Sequence, residues 1–141
     1  MLRTIFKGKI DDDFEGFDDG NVYKMSNGTY WVQAKYRYWY HYAYRPDAII
    51  TEDQGRYVLT VKGQSIPVRQ LSYVIESNIE GDFEGWDGDK VYNLLNGQVW
   101  KQDEYIYEYV YTYQPDVVIY EIDGVCIMCV EGTKVRVRQI R

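Results

Sequence analysis

Shifted by 69 residues against itself, the chain aligns Ile10–Leu71 with Ile79–Ile140 without a gap, and 27 of the 62 paired positions are identical. A sequence that matches itself over this span must build two similar units or one pseudo-symmetric unit, and a period this long lies outside the usual solenoid repeats. The first copy reads DFEGF, VYKMSNGTYW, YRYWYHYAYRPD, VKG and VRQL; the second reads DFEGW, VYNLLNGQVW, YIYEYVYTYQPD, VEG and VRQI. We expect two domains, residues 1–71 and 72–141. The junction Ser72–Ser77 has neither Pro nor Gly, which predicts a rigid connection or a continuing strand rather than a flexible linker.

Within each copy the apolar content is β-branched and aromatic. The 141 residues include 15 Val, 12 Ile and 16 Tyr against five Leu and three Ala, a balance that argues for an all-β chain. Alternating apolar positions are cut at intervals by turn residues, as in a meander of short strands. Val22–Met25 and Tyr30–Val32 flank Asn27-Gly28, a two-residue hairpin signal in which both turn positions would need φ > 0; Asn96-Gly97 matches it. The tyrosine-bearing segment ends at Pro46 or Pro115. Strands are then expected over Ala48–Thr51, Arg56–Val61 and Ile66–Leu71, and over Val117–Glu121, Val125–Val130 and Val135–Ile140. Five or six strands per copy suit a small barrel of SH3-like or OB-like type, so the expected fold is a tandem duplication of such a barrel.

Tyr36, Tyr38, Tyr40, Tyr42 and Tyr44 recur with period two, as do Tyr105, Tyr107, Tyr109, Tyr111 and Tyr113. A straight strand from Tyr30 to Tyr44 would run roughly 47 Å at about 3.3 Å per residue, too long for a small barrel. Trp31 and Gln33 lie on the opposite parity to the tyrosines, so if tryptophan and tyrosine both face the core a bulge or turn must lie near Gln33–Lys35 and near Gln102–Glu104. On strand length, a break is expected in both copies.

The hairpin LxNGQxW, present as Leu94-Leu95-Asn96-Gly97-Gln98-Val99-Trp100, together with GWDGD, YxYxYxYxP and the closing VRVRQI, resembles small bacterial β-barrel domains of SH3-like type. The likeness extends over both copies and departs in the first, where Thr29 and Tyr30 replace the Gln-Val pair. It implies a β-barrel fold and no activity, and it assigns no catalytic or binding residue.

The tyrosine stripes are the sharpest functional feature. Five phenols along one sheet face form a stacking platform for bases, sugars, a nucleotide or a proline-rich peptide. Against this, the rings could fill the core with their hydroxyls at its rim. A bare five-ring stripe is a sticky patch that monomeric proteins avoid, which weighs toward burial. The opposite parity reads Lys35, Arg37, Trp39, His41, Ala43, Arg45 in the first copy and Glu104, Ile106, Glu108, Val110, Thr112, Gln114 in the second. The net charge of −6 is also divided unevenly, +1 for residues 1–71 and −7 for 72–141. We therefore expect complementary faces, Lys35 and Arg37 opposite Glu104 and Glu108, within the chain or between chains. The candidate partner-binding residues are Tyr36, Arg37, Tyr38, Trp39, Tyr40, Tyr42, Arg45, Tyr105, Tyr107, Tyr109 and Tyr111. Basic residues among aromatics could also bind nucleic acid, although overall acidity argues against broad phosphate binding.

Other chemistry is thinly supplied. The carboxylates Asp11, Asp12, Asp13, Glu15, Asp18, Asp19 and Glu80, Asp82, Glu84, Asp87, Asp89 lack EF-hand spacing and read as solvated turns; Phe14 and Phe83 between them read as core anchors. Cys126 and Cys129 would point to opposite faces of a strand, so neither a disulfide nor a metal pair is expected. With His41 the sole histidine, a zinc site, a Ser-His-Asp site or a Cys-His site is improbable. No metal or cofactor is expected, and no phosphate-cradling glycine loop is present. The chain has no apolar run long enough for a membrane span and no signal-peptide pattern, so a cytoplasmic protein without membrane association is expected.

Three classes of function remain. The first is a non-enzymatic binding module whose tyrosine surface recognises a protein partner or a second copy. The second is a small-molecule, nucleotide or single-stranded nucleic-acid binding protein that acts by sequestration, with a bacterial or phage origin expected. The third is a hydrolase using paired carboxylates of the acidic turns.

Overall fold

The computed structural model describes residues 2–18 and 20–141; Asp19, one of the clustered carboxylates, lies outside the described residues. The fold is all-β, with sheets of the kind found in small barrel domains. No helix in it is long and apolar enough to cross a membrane. Two compact units divide between Ser72 and Tyr73.

The first unit contains β1 (Arg3–Lys9), β2 (Asp13–Phe17), β3 (Val22–Lys24), β4 (Tyr30–Gln33), β5 (Trp39–Tyr44), β6 (Asp47–Asp53), β7 (Arg56–Val61) and β8 (Gln64–Leu71). Six of them form a sheet in the order β1-β6-β7-β8-β4-β3, while β2 and β5 pair as a separate ribbon. The second unit contains β9 (Val74–Asn78), β10 (Asp82–Phe83), β11 (Trp86–Asp87), β12 (Val91–Asn93), β13 (Val99–Gln102), β14 (Tyr107–Glu108), β15 (Thr112–Tyr113), β16 (Asp116–Ile122), β17 (Val125–Val130) and β18 (Thr133–Gln139). Its sheet runs β9-β16-β17-β18-β13-β12, strand for strand the order of the first, and β10-β15 and β11-β14 take the place of the ribbon.

Two strands go beyond the sequence expectation. β1 forms the sheet edge against β6, and Val74–Asn78, expected as a junction or continuing strand, is the matching edge against β16. The alternation in Arg3–Lys9 is weak because an edge strand buries little: only Phe6 and Gly8 are even half-buried. The Asn-Gly hairpins also differ from expectation. Gly28 and Gly97 have positive φ, 87° and 91°, but Asn27 and Asn96 do not. Gly28 N donates to Met25 O at 2.9 Å and Met25 N donates to Thr29 O at 2.8 Å, which is a three-residue loop with glycine in the bulge position. The two-residue turns with both φ positive are Gln54-Gly55, Lys62-Gly63, Asp123-Gly124 and Glu131-Gly132.

Each unit encloses its own core. Phe14, Phe17, Tyr23, Met25 and Trp31 cluster with Ile50, Leu59, Val61 and Ile66 in the first; Phe83, Trp86, Tyr92, Leu94 and Trp100 cluster with Ile119, Met128 and Val130 in the second. Phe83, Trp86 and Tyr92 meet at centroid distances of 5.2–5.9 Å in edge-on and tilted arrangements, the geometry aromatic quadrupoles favour. Full burial of each such ring is worth about 1.5–3 kcal/mol.

The glycine of each DFEG motif lets the ribbon lie against this core. Gly16 and Gly85 have φ of 99° and 95°, and a Cβ on either would overlap a backbone carbonyl oxygen, that of Trp39 or Glu108. The register slips between Phe14 and Gly16, where His41 and Tyr42 of β5 stand against Glu15 alone, and Phe14 and Phe17 are both buried.

Candidate functional site

The expected break in the long aromatic segment is present in both units, and a buried glutamine makes it. Gln33 ends β4 and its Nε2 donates to Lys35 O and Arg37 O, each at 3.0 Å. Its Oε1 accepts from Asp18 N at 3.1 Å and from the Tyr23 hydroxyl at 3.0 Å. Gln102 donates in the same way to Glu104 O and Ile106 O, both at 2.9 Å, and accepts from Asp87 N. The chain turns around each carboxamide and re-emerges with the tyrosines on the outer face.

That outcome reverses the weight given to burial. Tyr36, Tyr38, Tyr40, Tyr42 and Tyr44 are 54–67% exposed, and Tyr105, Tyr107, Tyr109, Tyr111 and Tyr113 are 55–85% exposed. The alternate positions fill the core instead: Trp39 packs 6.1 Å from Phe14 and 5.1 Å from Phe17, and Ile106 and Val110 pack on the second core. Inward burial is satisfied by these residues, so the phenols are left to solvent.

The candidate residues are therefore split between two faces. Tyr36, Tyr38, Tyr40 and Tyr42 lie outward, as do Tyr105, Tyr107, Tyr109 and Tyr111. Trp39 is half-buried and stacks on His41 at 5.2 Å with planes 1° apart. Arg37 is tied within its own unit: its guanidinium sits 5.7 Å from the Phe17 ring centroid and donates to Ser65 O and Gln64 Oε1. Arg45, with φ of 48°, places Nε 3.7 Å from Asp11. Of the residues expected from parity to form complementary faces, Arg37 is tied within the first unit and Glu104 accepts from Arg136 N at 3.0 Å in the second.

Carboxylates border the tyrosines. The Tyr42 hydroxyl donates to Asp13 Oδ1 at 2.9 Å, and Tyr111 donates to Asp82 Oδ1 at the same distance. Those hydrogen bonds to an anion raise both phenol pKa values above the ordinary one, since losing the proton would set two negative charges together.

The remaining candidates are structural. Phe14 and Phe83 are core anchors. Among the described residues no group of three or more His, Cys, Asp or Glu could hold a metal ion. Cys126 packs on the second core, whereas Cys129, three residues on, belongs to the other face; both are free thiols. Burial raises both, Cys129 to about 11.

A groove of about 430 Å³ in the first unit was not anticipated. Ala34, Gly55, Arg56, Tyr57, Pro67 and Arg69 line it. Sixty-nine residues on, Ala34 and Pro67 become Asp103 and Arg136; Asp103 lies 3.8 Å from Arg138 and its carbonyl accepts from Arg136 Nε. A small residue facing a proline at two separated positions gives no motif, so only the comparison of copies could have flagged it.

Comparison with protein-family models, with curated proteins and with solved structures found no match.

Proposed function

We propose that this protein is a non-enzymatic binding module, built as a tandem pair of small β-barrel units, that recognises a protein partner through its outward tyrosines. The observation that carries this is the exposure of all ten stripe tyrosines, each more than half accessible, where a chain selected only for folding would have polar residues. Tyrosine gives a large, stiff contact area with a polar tip and loses little side-chain freedom on binding, so it is enriched where proteins meet. Pinning of Tyr42 and Tyr111 by carboxylates reduces that cost further.

The test places a photo-crosslinking phenylalanine at Tyr40 or Tyr109 in the intact chain in cells, with exposed Glu131 as control position. A discrete protein adduct from the tyrosine positions and none from Glu131 supports the module, and its loss in a Tyr38→Ala/Tyr107→Ala background ties it to the stripe. Identical patterns from all three positions would overturn it.

The groove favours a second reading, a small anionic aromatic ligand held by Arg56, Arg69 and Tyr57. Thermal-shift screening with nucleotides discriminates, because a ligand at a hundred times its Kd stabilises by about 2.7 kcal/mol. A shift abolished by Arg56→Ala would assign the ligand to the groove.

A further inference from the structure

The two tyrosine faces differ in charge, and that difference points to the chemistry of the partner. In the second unit neither 79–89 nor 102–116 contains a Lys or Arg. Asp82, Glu84 and Asp87 are exposed beside the tyrosines, and among the described residues none of the three has an ion-pair partner. In the ladders Tyr107 sits opposite Asp87 and Tyr113 opposite Asp82, and the Tyr111 hydroxyl donates to Asp82, so rings and carboxylates interleave along one surface. In the first unit the corresponding stretch carries Lys35, Arg37 and Arg45, with Arg45 already beside Asp11.

We propose that the tyrosine face of the second unit docks an arginine- and lysine-rich segment of a protein partner, an inference that rests on the binding-module reading above. A guanidinium can lie on the electron-rich face of a phenol while donating to a neighbouring carboxylate, and the second unit offers both groups side by side. The same surface repels phosphate, because every formal charge on it is negative. The −7 of residues 72–141 also steers a cationic chain toward this half during encounter.

The experiment titrates a ten-residue peptide of alternating Arg and Ser into the full-length protein at low salt, observed by backbone NMR shifts. Shifts are expected in 103–113 and 80–87, with affinity falling about tenfold or more between 50 and 300 mM salt. Tyr107→Ser/Tyr109→Ser and Glu84→Gln/Asp87→Asn should each weaken binding about tenfold, whereas Tyr38→Ser/Tyr40→Ser should change it by less than about threefold. No shifts, or a Tyr107→Ser/Tyr109→Ser protein that binds like wild type, would overturn the proposal, as would tighter binding of a single-stranded oligonucleotide. The two readings fail separately: if the Tyr109 crosslink survives with undiminished yield in Glu84→Gln/Asp87→Asn, a partner exists, the binding module stands and the cationic segment is overturned.

Discussion

The Tyr23 hydroxyl donates to Gln33 Oε1 at 3.0 Å and also lies 3.0 Å from Gly16 O, joining β3, the end of β4 and Gly16 of β2 at one buried point. All four hydrogen-bonding positions of the Gln33 carboxamide are used, the full capacity of that side chain. Its place is fixed by what it satisfies: two carbonyls on one side, an amide and a phenol on the other.

A carboxylate in that place has the same shape and the wrong chemistry. Gln33→Glu and Gln102→Glu each set an acceptor against two carbonyl oxygens in a buried site, and we expect a loss of about 3 kcal/mol or more. Urea unfolding measures it. Glutamate variants within about 0.5 kcal/mol of wild type would show that the donor side of the carboxamide holds nothing.

The positive-φ glycines separate two uses of the same residue. Gly28 has a φ of 87° but open space around it, whereas Gly16 combines a φ of 99° with backbone at the position of a Cβ. Gly28→Ala should cost about 1 kcal/mol. Gly16→Ala and Gly85→Ala should cost about 3 kcal/mol or more, since a strand must move. Equal losses at Gly28 and Gly16 in thermal unfolding would contradict this ordering.

Much of this was legible because the chain is written twice. Asn-Gly, Gln33 and Gln102, and the glycine of DFEG recur at the same offset, and the break after Gln33 followed from strand length alone. The departure of Thr29 from LxNGQxW proves chemically silent: Trp31 Nε1 donates to Thr29 Oγ1 at 3.0 Å, and Trp100 Nε1 donates to Gln98 Oε1 at 3.2 Å. Parity could not say which side of the stripe is wet. That depends on Trp39, Ile106 and Val110 winning the interior, a competition decided by the volume between ribbon and sheet. β1 was invisible for a related reason, since an edge strand with one half-buried ring has little period to read.

Alkaline pH should destabilise the fold through two phenols. Burial holds Tyr23 and Tyr92 well above the ordinary value of 10.0. Below pH 10 the folded and unfolded states keep these protons alike, and the stability is intact. Above it the unfolded state releases them first, so stability falls by about 1.4 kcal/mol per pH unit for each phenol until the folded values are reached. Absorbance at alkaline pH should show the Tyr23 and Tyr92 phenols ionising only with unfolding. Tyr23→Phe should remove the pH slope of the first unit; an unchanged slope would place its origin elsewhere.

The two thiols should behave as separate, slow groups. On β17, Cys126 lies opposite Glu121 and Val137, whereas Cys129 lies opposite Val118 and Lys134, and three residues along a strand turn the second sulfur to the other face. Burial lifts Cys129 to about 11 from a model-peptide value of 9.0, which lowers its thiolate fraction near pH 8 by about a hundredfold. Reaction of Cys129 with a disulfide reagent should be slower than that of free cysteine by at least that factor. A mild oxidant should leave the monomer mass unchanged, and zinc should not raise the melting temperature. Rapid loss of two hydrogens on oxidation would mean that the sulfurs converge, which this strand geometry forbids.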